Sequence, residues 1–275
     1  MDGARRAALP GRAGDVSGSA AGRPVGARCA GRDVPLSRHW RLVLALALSC
    51  GLGAVRAQPQ PEGVAPTPFS DRFSVKWNGI PMGEMQVTLE PLAGEAGCYV
   101  QRALTRTNLV ARLLYGTPSQ ISTFCVVAGK IRTREYRFVR GGHSGDNYTL
   151  HFDWQAGTVT DGAGQVRSLP ADAVDSLSLQ QAVRLWLMAH AGDANVPDVA
   201  FTLVDVAHLT HYRFRRTRRE VIDTPAGRFD TWLVERVDNP DKAGKYWVAP
   251  AHHYLPVASE TRNGRGLVLG TMLMR

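Results

Sequence analysis

The sequence predicts a mainly β domain, built as an antiparallel curved sheet or half-barrel meander with one packed amphipathic helix at Ser178–Ala191. From Phe69 onward, short segments in which apolar and polar residues alternate recur about every ten residues, with Gly-rich turns between them. Two Asn-Gly pairs, at 78–79 and 263–264, are strong hairpin signals, since both positions tolerate positive φ. Only one long segment has helical spacing.

The first strands show the pattern clearly. Phe73, Val75 and Trp77 alternate with polar residues, which predicts a half-buried strand that turns at Asn78-Gly79. A return strand at 85–89 and a third at 98–107 follow, and residues 108–115 have the composition of one or two helical turns. The remaining strands are predicted at 119–127, 131–140, 148–154, 158–160, 199–204, 210–217, 219–224, 229–237, 245–249, 255–262 and 267–274.

The predicted helix begins at Ser178. Ser178 and Gln181 have the spacing of a capping box, in which each side chain bonds the other residue's backbone N–H. Leu179, Ala182 and Trp186 then fall on one helical face. A helix of this length is about 20 Å long, enough to cover one face or one end of a curved sheet.

Residues 1–57 have the pattern of a leader, with a signal peptide at about 38–57. A basic start at Arg38 precedes a short apolar run, and small residues precede Gln58, where the mature chain is expected to begin. The expected location is therefore the periplasm. Two alternatives stay open: an uncleaved N-terminal anchor, and a lipoprotein attached through Cys50. Residues 58–68 contain four prolines and predict an extended linker before a single β-rich domain at 69–275.

The formal charge of +9 lies mostly in this leader. Residues 1–57 carry nine arginines and three aspartates, a net charge of +6, which leaves +3 for the rest of the chain. The mature domain therefore lacks the strong basic excess that nucleic-acid binding requires, and no nucleic-acid partner is expected. No membrane span is expected in the mature chain, and the sequence predicts no oligomeric state.

Two cysteines, Cys98 and Cys125, remain after leader removal. They lie on consecutive predicted strands that can be antiparallel neighbours, and an even pair in an oxidising compartment favours a disulfide. Two separate buried thiols are the alternative.

Two groups of side chains are candidates for binding. Aromatic residues spread over many strands could line a ligand cavity in a curved sheet, although they could equally fill a core. They are Trp77, Tyr136, Phe138, Trp154, Phe214, Trp232 and Trp247. An arginine cluster could hold an anion such as a lipid head group, or could instead be a solvated strand face that discourages edge pairing. Its members are Arg213, Arg215, Arg216 and Arg218, with Arg219 beside them.

No motif points to a reaction. The sequence has no nucleophile elbow, no phosphate-binding glycine loop and no H-E-x-x-H, so no catalytic residue, metal site or cofactor is predicted. His208 with His211, and His252 with His253, lack the further ligands that zinc needs. Ser144 and Asp146 flank a Gly in a turn beside His143, and neighbours in a hairpin loop rarely form a triad.

An ordered set of short motifs resembles the domain of unknown function 3108 family of exported bacterial proteins. The resemblance implies export and a β-rich domain, and supplies no activity or site residues. The motifs are Trp77-Asn78-Gly79-Ile80 with Gly83, Asp175-Ser176-Leu177-Ser178, Tyr212 with Phe214, Glu220, Thr224-Pro225-Ala226-Gly227 with Phe229, Arg236, Trp247-Val248-Ala249-Pro250 and Tyr254-Leu255-Pro256-Val257.

We therefore expect a non-enzymatic envelope protein that binds an apolar or amphipathic, lipid-like molecule in the periplasm. The alternatives are an interaction or assembly module whose partner is an envelope protein, and a hydrolase with an unrecognised site.

Overall fold

The computed structural model describes residues 64–275, which form one large sheet and two α-helices. Residues 64–68 have no regular structure; the predicted leader, including Cys50, and the linker up to residue 63 lie outside the described residues. The strands are β1 (Phe69–Trp77), β2 (Ile80–Pro91), β3 (Cys98–Thr107), β4 (Thr117–Val127), β5 (Lys130–Gly141), β6 (Tyr148–Asp153), β7 (Thr158–Asp161), β8 (Val166–Ser168), β9 (Ala173–Val174), β10 (Val199–Val204), β11 (Leu209–Thr224), β12 (Gly227–Arg236), β13 (Gly244–Ala249), β14 (Leu255–Arg262) and β15 (Val268–Leu273). The helices are α1 (Leu109–Tyr115) and α2 (Ser178–Ala189).

The sheet has 15 strands in the order β8-β7-β6-β5-β4-β3-β2-β1-β15-β14-β13-β12-β11-β10-β9. Neighbours are antiparallel except β9 and β10, which are parallel. The first and last strands pair at the centre, with Phe73 opposite Leu273. Two meanders thus meet in the middle of one sheet, and the predicted mainly β fold is confirmed.

The sheet curls until its two ends approach each other without closing. Val159 on β7 and Val204 on β10 belong to one buried cluster, although these strands lie near opposite ends of the strand order. Arg167 Nη2 on β8 donates to the Asp205 backbone oxygen just after β10, at 2.7 Å. Curvature of a twisted antiparallel sheet encloses an interior of this kind.

Most predicted strands are confirmed; two predicted strands are merged, and two short strands, β8 and β9, were not predicted. Residues 209–224 form a single strand, β11, where two were predicted, because a bulge between Arg216 and Arg219 carries the chain through the shift in register. The predicted turns at Asn78-Gly79 and Pro225-Ala226 are present, and Asn78 and Gly79 have φ values of 47° and 79°.

Helix α2 spans Ser178–Ala189, two residues shorter than predicted, and its predicted capping box is wrong. Asp175 accepts the N-terminal hydrogen bonds, and Ser178 Oγ accepts from the Asp175 N–H at 3.0 Å. The Gln181 side chain accepts from Arg184 Nη1 at 3.2 Å. The carboxylate of Asp175, which precedes the helix, thus caps it in place of the predicted Ser178.

Cys98 and Cys125 stand opposite each other in the β3–β4 ladder and are joined by a disulfide bond. Residues 64–275 contain no helix both long and apolar enough to cross a membrane.

Candidate functional site

Helix α2 is fastened to the sheet by the buried carboxylate of Asp175. Oδ1 accepts hydrogen bonds from the backbone N–H groups of Leu177 and Ser178, at 2.8 and 3.0 Å. Oδ2 accepts from Ser122 Oγ on β4 and Thr133 Oγ1 on β5, at 2.7 and 3.0 Å. Because one carboxylate caps the helix and bonds two strands, it fixes the helix on the N-terminal half of the sheet.

A second polar group beside Asp175 completes this attachment. Ser176 Oγ lies 2.7 Å from the Tyr136 hydroxyl and donates to Gln120 Oε1 at 2.9 Å. Burial is the main cause that raises the pKa of Tyr136 far above its usual range, followed by the neighbouring Tyr148. The phenol therefore stays neutral and acts as a hydrogen-bond donor to Gln120 at 2.8 Å.

Two adjoining faces of α2 border two apolar hollows. Leu179, Val183 and Leu187 recur every four residues and line one hollow. Ala182, Trp186 and Ala189, spaced by four and then three residues, lie on the neighbouring face and line the second. The helix is therefore apolar over a wide sector, as expected for one packed inside a curved sheet.

The larger hollow is a groove of about 430 Å³ between α2, β9, β10 and the β4–β5 turn. The small side chains of Ala182 and Ala189 on α2 leave this groove open, and Trp186 and Phe201 form its aromatic walls. Lys130 and Asp172 are its charged lining residues, and both are exposed. An apolar wall with a few polar groups and a volume within about 300–1,000 Å³ is typical of small-molecule sites.

The smaller hollow is a cavity of about 120 Å³ between α2 and strands β11, β13 and β14. Its walls are mostly aliphatic and aromatic, and the residues from the strands and their connections are Phe214, Tyr246, Val248, Tyr254 and Pro256. Tyr246 and Tyr254 make no side-chain hydrogen bond within residues 64–275. Burial is the main cause that raises the pKa of Tyr246 to about 12, so it is neutral at physiological pH.

A buried arginine on α2 also lines this cavity. Arg184 is only 2% exposed, and its Nε donates to the His253 backbone oxygen at 2.8 Å while Nη1 donates to the Thr67 oxygen at 3.0 Å. Its Nη2 has no partner, and no carboxylate forms an ion pair with it, anywhere in the described part of the chain. Burial lowers the pKa of Arg184 to about 10, which leaves it cationic at neutral pH. A buried cation with an unused donor is costly unless an anion meets it.

Near Arg184, a histidine and a carboxylate lie within hydrogen-bonding distance of each other. His252 Nε2 lies 2.8 Å from Asp71 Oδ2, and the ring packs against Phe229 with centroids 6.0 Å apart. No serine, threonine or cysteine among residues 64–275 makes a hydrogen bond to His252. The pair therefore has the second and third members of a nucleophilic triad without an adjacent nucleophile.

The seven aromatic residues singled out in the sequence do not converge on one cavity. Phe214 lines the 120 Å³ cavity, whereas Tyr136, Phe138, Trp154 and Trp247 belong to or pack against the interior core. Trp77 stacks on Tyr115 near α1, with centroids 5.0 Å apart. Trp232 is covered by the guanidinium groups of Arg216 and Arg219, at 4.3 and 4.7 Å from its ring centre.

The arginine cluster on β11 is largely neutralised by partners within the chain. Arg215 forms a bidentate pair with Asp198, at 2.8 and 2.9 Å, and Arg213 Nε lies 3.8 Å from the same carboxylate. Arg218 pairs with Glu220, and Arg219 with Asp230, each at 2.5 Å. Arg216 is buried and donates to the His190 backbone oxygen at 3.2 Å. The cluster therefore acts within the fold and offers little free charge to an anion.

One group of potential metal ligands occurs within residues 64–275: Glu95, Cys98 and Cys125. Both sulfur atoms are in the disulfide, so no thiolate is available there. Of the histidines considered for zinc, His211 Nδ1 instead lies 3.0 Å from Thr202 Oγ1.

Sequence reasoning missed the residues that define the site. Arg184 and Asp175 are buried charges, and nothing in the local pattern distinguishes them from solvated charges on a helix or loop. Spacing gave one usable signal, because Arg184 lies four residues after Gln180 and three before Leu187, on the helical face that lines the 120 Å³ cavity.

Comparison with known proteins relates the chain to a family and to two structures. The model of a family described as protein of unknown function, DUF3108, matches residues 72–268. A β-barrel-like protein of domain of unknown function DUF1849 from Brucella abortus has 12% identity and a TM-score of 0.49, covering 77% of this chain and 98% of its own. A protein with a YmcC-like fold from Bacteroides fragilis has 13% identity and a TM-score of 0.35, covering 77% and 97%. No curated protein matches the chain.

Proposed function

The chain belongs to the DUF3108 family of proteins of unknown function, and from that premise we propose that it is a non-enzymatic protein that binds an apolar or amphipathic, lipid-like molecule. The observation that carries the proposal is the apolar groove of about 430 Å³ beside α2. Its volume suits a small ligand, and its walls favour an apolar one through burial of hydrocarbon surface.

The buried arginine supports an amphipathic ligand with an acidic group. Arg184 lines the 120 Å³ cavity, and its Nη2 has no partner within residues 64–275. A carboxylate or phosphate that reached it would form a charge-assisted hydrogen bond in a dry environment, where such bonds are strong. This cavity has about the size that holds one small ring, so it would take one end of a ligand only.

The proposed place of action is the periplasm. The apolar run after Arg38 and the small residues before Gln58 support export, and the disulfide between Cys98 and Cys125 suits an oxidising compartment. Mass spectrometry of the N terminus of the protein recovered from its host would test this. A chain that begins near Gln58 supports export, and one that retains residues 1–57 without a membrane location contradicts it.

A titration with a dansyl-labelled fatty acid tests the binding function. We expect the dansyl emission to rise and shift to the blue when the wild-type protein is added, because the probe leaves water. Ala189→Phe places a ring at the exposed edge of the groove and should weaken binding about tenfold, a change of about 1.4 kcal/mol.

The matched control is Ala191→Phe, which adds the same ring two residues further along, at an exposed position that does not line the groove. Wild-type affinity in this variant would assign the loss to the groove. The proposal is wrong if the wild-type protein leaves the probe emission unchanged, or if both variants bind the probe equally well.

A further inference from the structure

Helix α1 and the adjoining β1–β2 hairpin expose a continuous set of aliphatic side chains. We call this set the α1 face; its members are Ile80 (65% exposed), Leu109 (65%), Val110 (65%), Leu113 (73%) and Leu114 (61%). Asn108 joins the two segments, since its Nδ2 donates to the Pro81 backbone oxygen at 2.8 Å. Exposed aliphatic residues that occur singly are ordinary, whereas a grouped set of this kind marks an interaction surface.

These side chains contribute little to holding α1 in place. Asn108 Oδ1 accepts from the Ala111 N–H at 2.8 Å and caps the helix, and Ala111 is the residue of α1 that is fully buried. Gly116 ends the helix at a φ of 68°, where a Cβ atom would lie 2.3 Å from the Gly141 oxygen. Since the caps, Ala111 and the stacking of Tyr115 on Trp77 fix the helix, the outward aliphatic residues are available for another role.

The α1 face lies at a cationic end of the molecule. Lys76 stands opposite Pro81, Arg112 lies on α1, and Arg106 lies two residues before Asn108. The β14–β15 hairpin is attached by Asn78, whose N–H donates to the Val268 oxygen at 2.8 Å. This hairpin adds two arginines, Arg262 and Arg265.

These five cations differ from the arginines of β11. All five are exposed, and none forms an ion pair with any other residue from 64 to 275. The acidic groups nearby are Glu84, which stands opposite Arg106 in the β2–β3 ladder, Glu260, two residues before Arg262, and Asp146, which pairs with Arg140. The surface around the α1 face therefore carries uncompensated positive charge.

We propose that the α1 face docks on the surface of a phospholipid bilayer that contains anionic lipids. Aliphatic side chains backed by lysine and arginine match the two layers of a membrane interface, hydrocarbon beneath anionic head groups. Trp77, stacked on Tyr115 at the end of α1, adds the aromatic pair typical of the interfacial zone.

Vesicle co-sedimentation tests the proposal, with the protein purified as its host cells produce it. The wild type should bind vesicles of phosphatidylcholine mixed with phosphatidylglycerol, and bind pure phosphatidylcholine at least tenfold more weakly, since several cations each favour the anionic surface. Binding to the mixed vesicles should also fall as salt is added.

Two variants separate the aliphatic and the cationic contributions. The double variant Leu113→Ser, Leu114→Ser should bind mixed vesicles at least tenfold more weakly, because two exposed side chains no longer enter the hydrocarbon. Arg112→Glu should weaken binding to mixed vesicles by about tenfold or more while leaving the weak binding to pure phosphatidylcholine unchanged. Both replace exposed residues, so melting temperatures close to that of the wild type are expected.

The matched control is the double variant Val166→Ser, Val221→Ser, which removes two exposed aliphatic side chains elsewhere, at 62% and 51% exposure. It should bind mixed vesicles as the wild type does. The proposal is overturned if the wild type fails to bind mixed vesicles, or if the Leu113, Leu114 variant binds them unchanged. It is also overturned if the wild type does not bind vesicles but forms a dimer, and the Leu113, Leu114 variant is a monomer.

Discussion

Among single residues, Asp175 accepts hydrogen bonds from two backbone N–H groups and two strand hydroxyls through one buried carboxylate. Asp175→Ala should lower the free energy of unfolding by about 3 kcal/mol or more, because buried donors lose their acceptor. Urea unfolding followed by circular dichroism measures the loss. Asp153→Ala is the control, since Asp153 caps only an exposed turn and should cost under about 1 kcal/mol. Equal losses in the two variants would contradict this attachment of α2.

Arg184 is the residue on which the ligand's proposed polarity depends. Arg184→Met keeps much of the side-chain volume and removes the charge, so the dansyl-labelled fatty acid should bind about tenfold more weakly, whereas its uncharged methyl ester should bind as it does to wild type. Comparing the two probes also separates this effect from a loss of folded protein, which would weaken both. If the variant and the wild type bind the acid with equal affinity, Arg184 does not contact the ligand.

Glu220 makes stability depend on pH. The hydrogen bond from the Trp247 indole N–H, followed by that from Arg218, holds the pKa of Glu220 below its usual range. A carboxyl whose pKa is lowered by folding stabilises the protein above its unfolded pKa, and this contribution is lost as pH falls through the folded value. Glu220→Gln should therefore be less stable than the wild type near neutral pH, and the difference should shrink as the pH falls through the lowered pKa of Glu220. A difference that does not change with pH would contradict the assignment.

At the scale of elements, α2 is a helix packed against a fold that consists mainly of strands. Trp186 is 8% exposed and lines the groove beside α2, so Trp186→Ala should lower the free energy of unfolding by about 3–5 kcal/mol. Thermal or urea unfolding would check this. Wild-type stability would mean that the helix lies on the surface and that the groove is not formed against it.

The elements also show what sequence can and cannot predict. Alternation and Asn-Gly turns were sufficient for most strands, because they are local signals of backbone conformation. The helix was found from its spacing, yet its cap was misassigned to Ser178, since the acceptor is Asp175 and its other bonds come from strands about forty to fifty residues away. The bulge that makes β11 continuous depends on pairing with β12, which no short segment encodes.

For the whole molecule, the fold class followed from the sequence, whereas the proposed binding site did not. The aromatic residues suited either a shared cavity lining or a filled core, and curvature places most of them in the core or against neighbouring side chains. The space beside α2 arises where alanines face the sheet, a property of packing between distant segments. The exposed α1 face is likewise invisible in sequence, where the same leucines suit a buried helix.

The disulfide between Cys98 and Cys125 links β3 to β4, within the N-terminal half of the sheet. Its cysteines are 27 residues apart, so replacing both by serine should lower the free energy of unfolding by about 3 kcal/mol through greater freedom of the unfolded chain. Unfolding in urea, with and without reductant, would measure it; reductant should destabilise the wild type alone. If reductant leaves the unfolding of the wild type unchanged, the bridge is absent from the protein in solution.

The central claim is that the space beside α2 holds a lipid-like molecule. Native mass spectrometry of the protein purified from its own cells, without detergent, tests it most directly. The wild type should carry an extra mass that organic solvent extracts and that fragmentation identifies as amphipathic, and Ala189→Phe should carry much less of it. A wild-type protein that shows the mass of its chain alone, and that takes up no fatty acid when offered one, would contradict the claim.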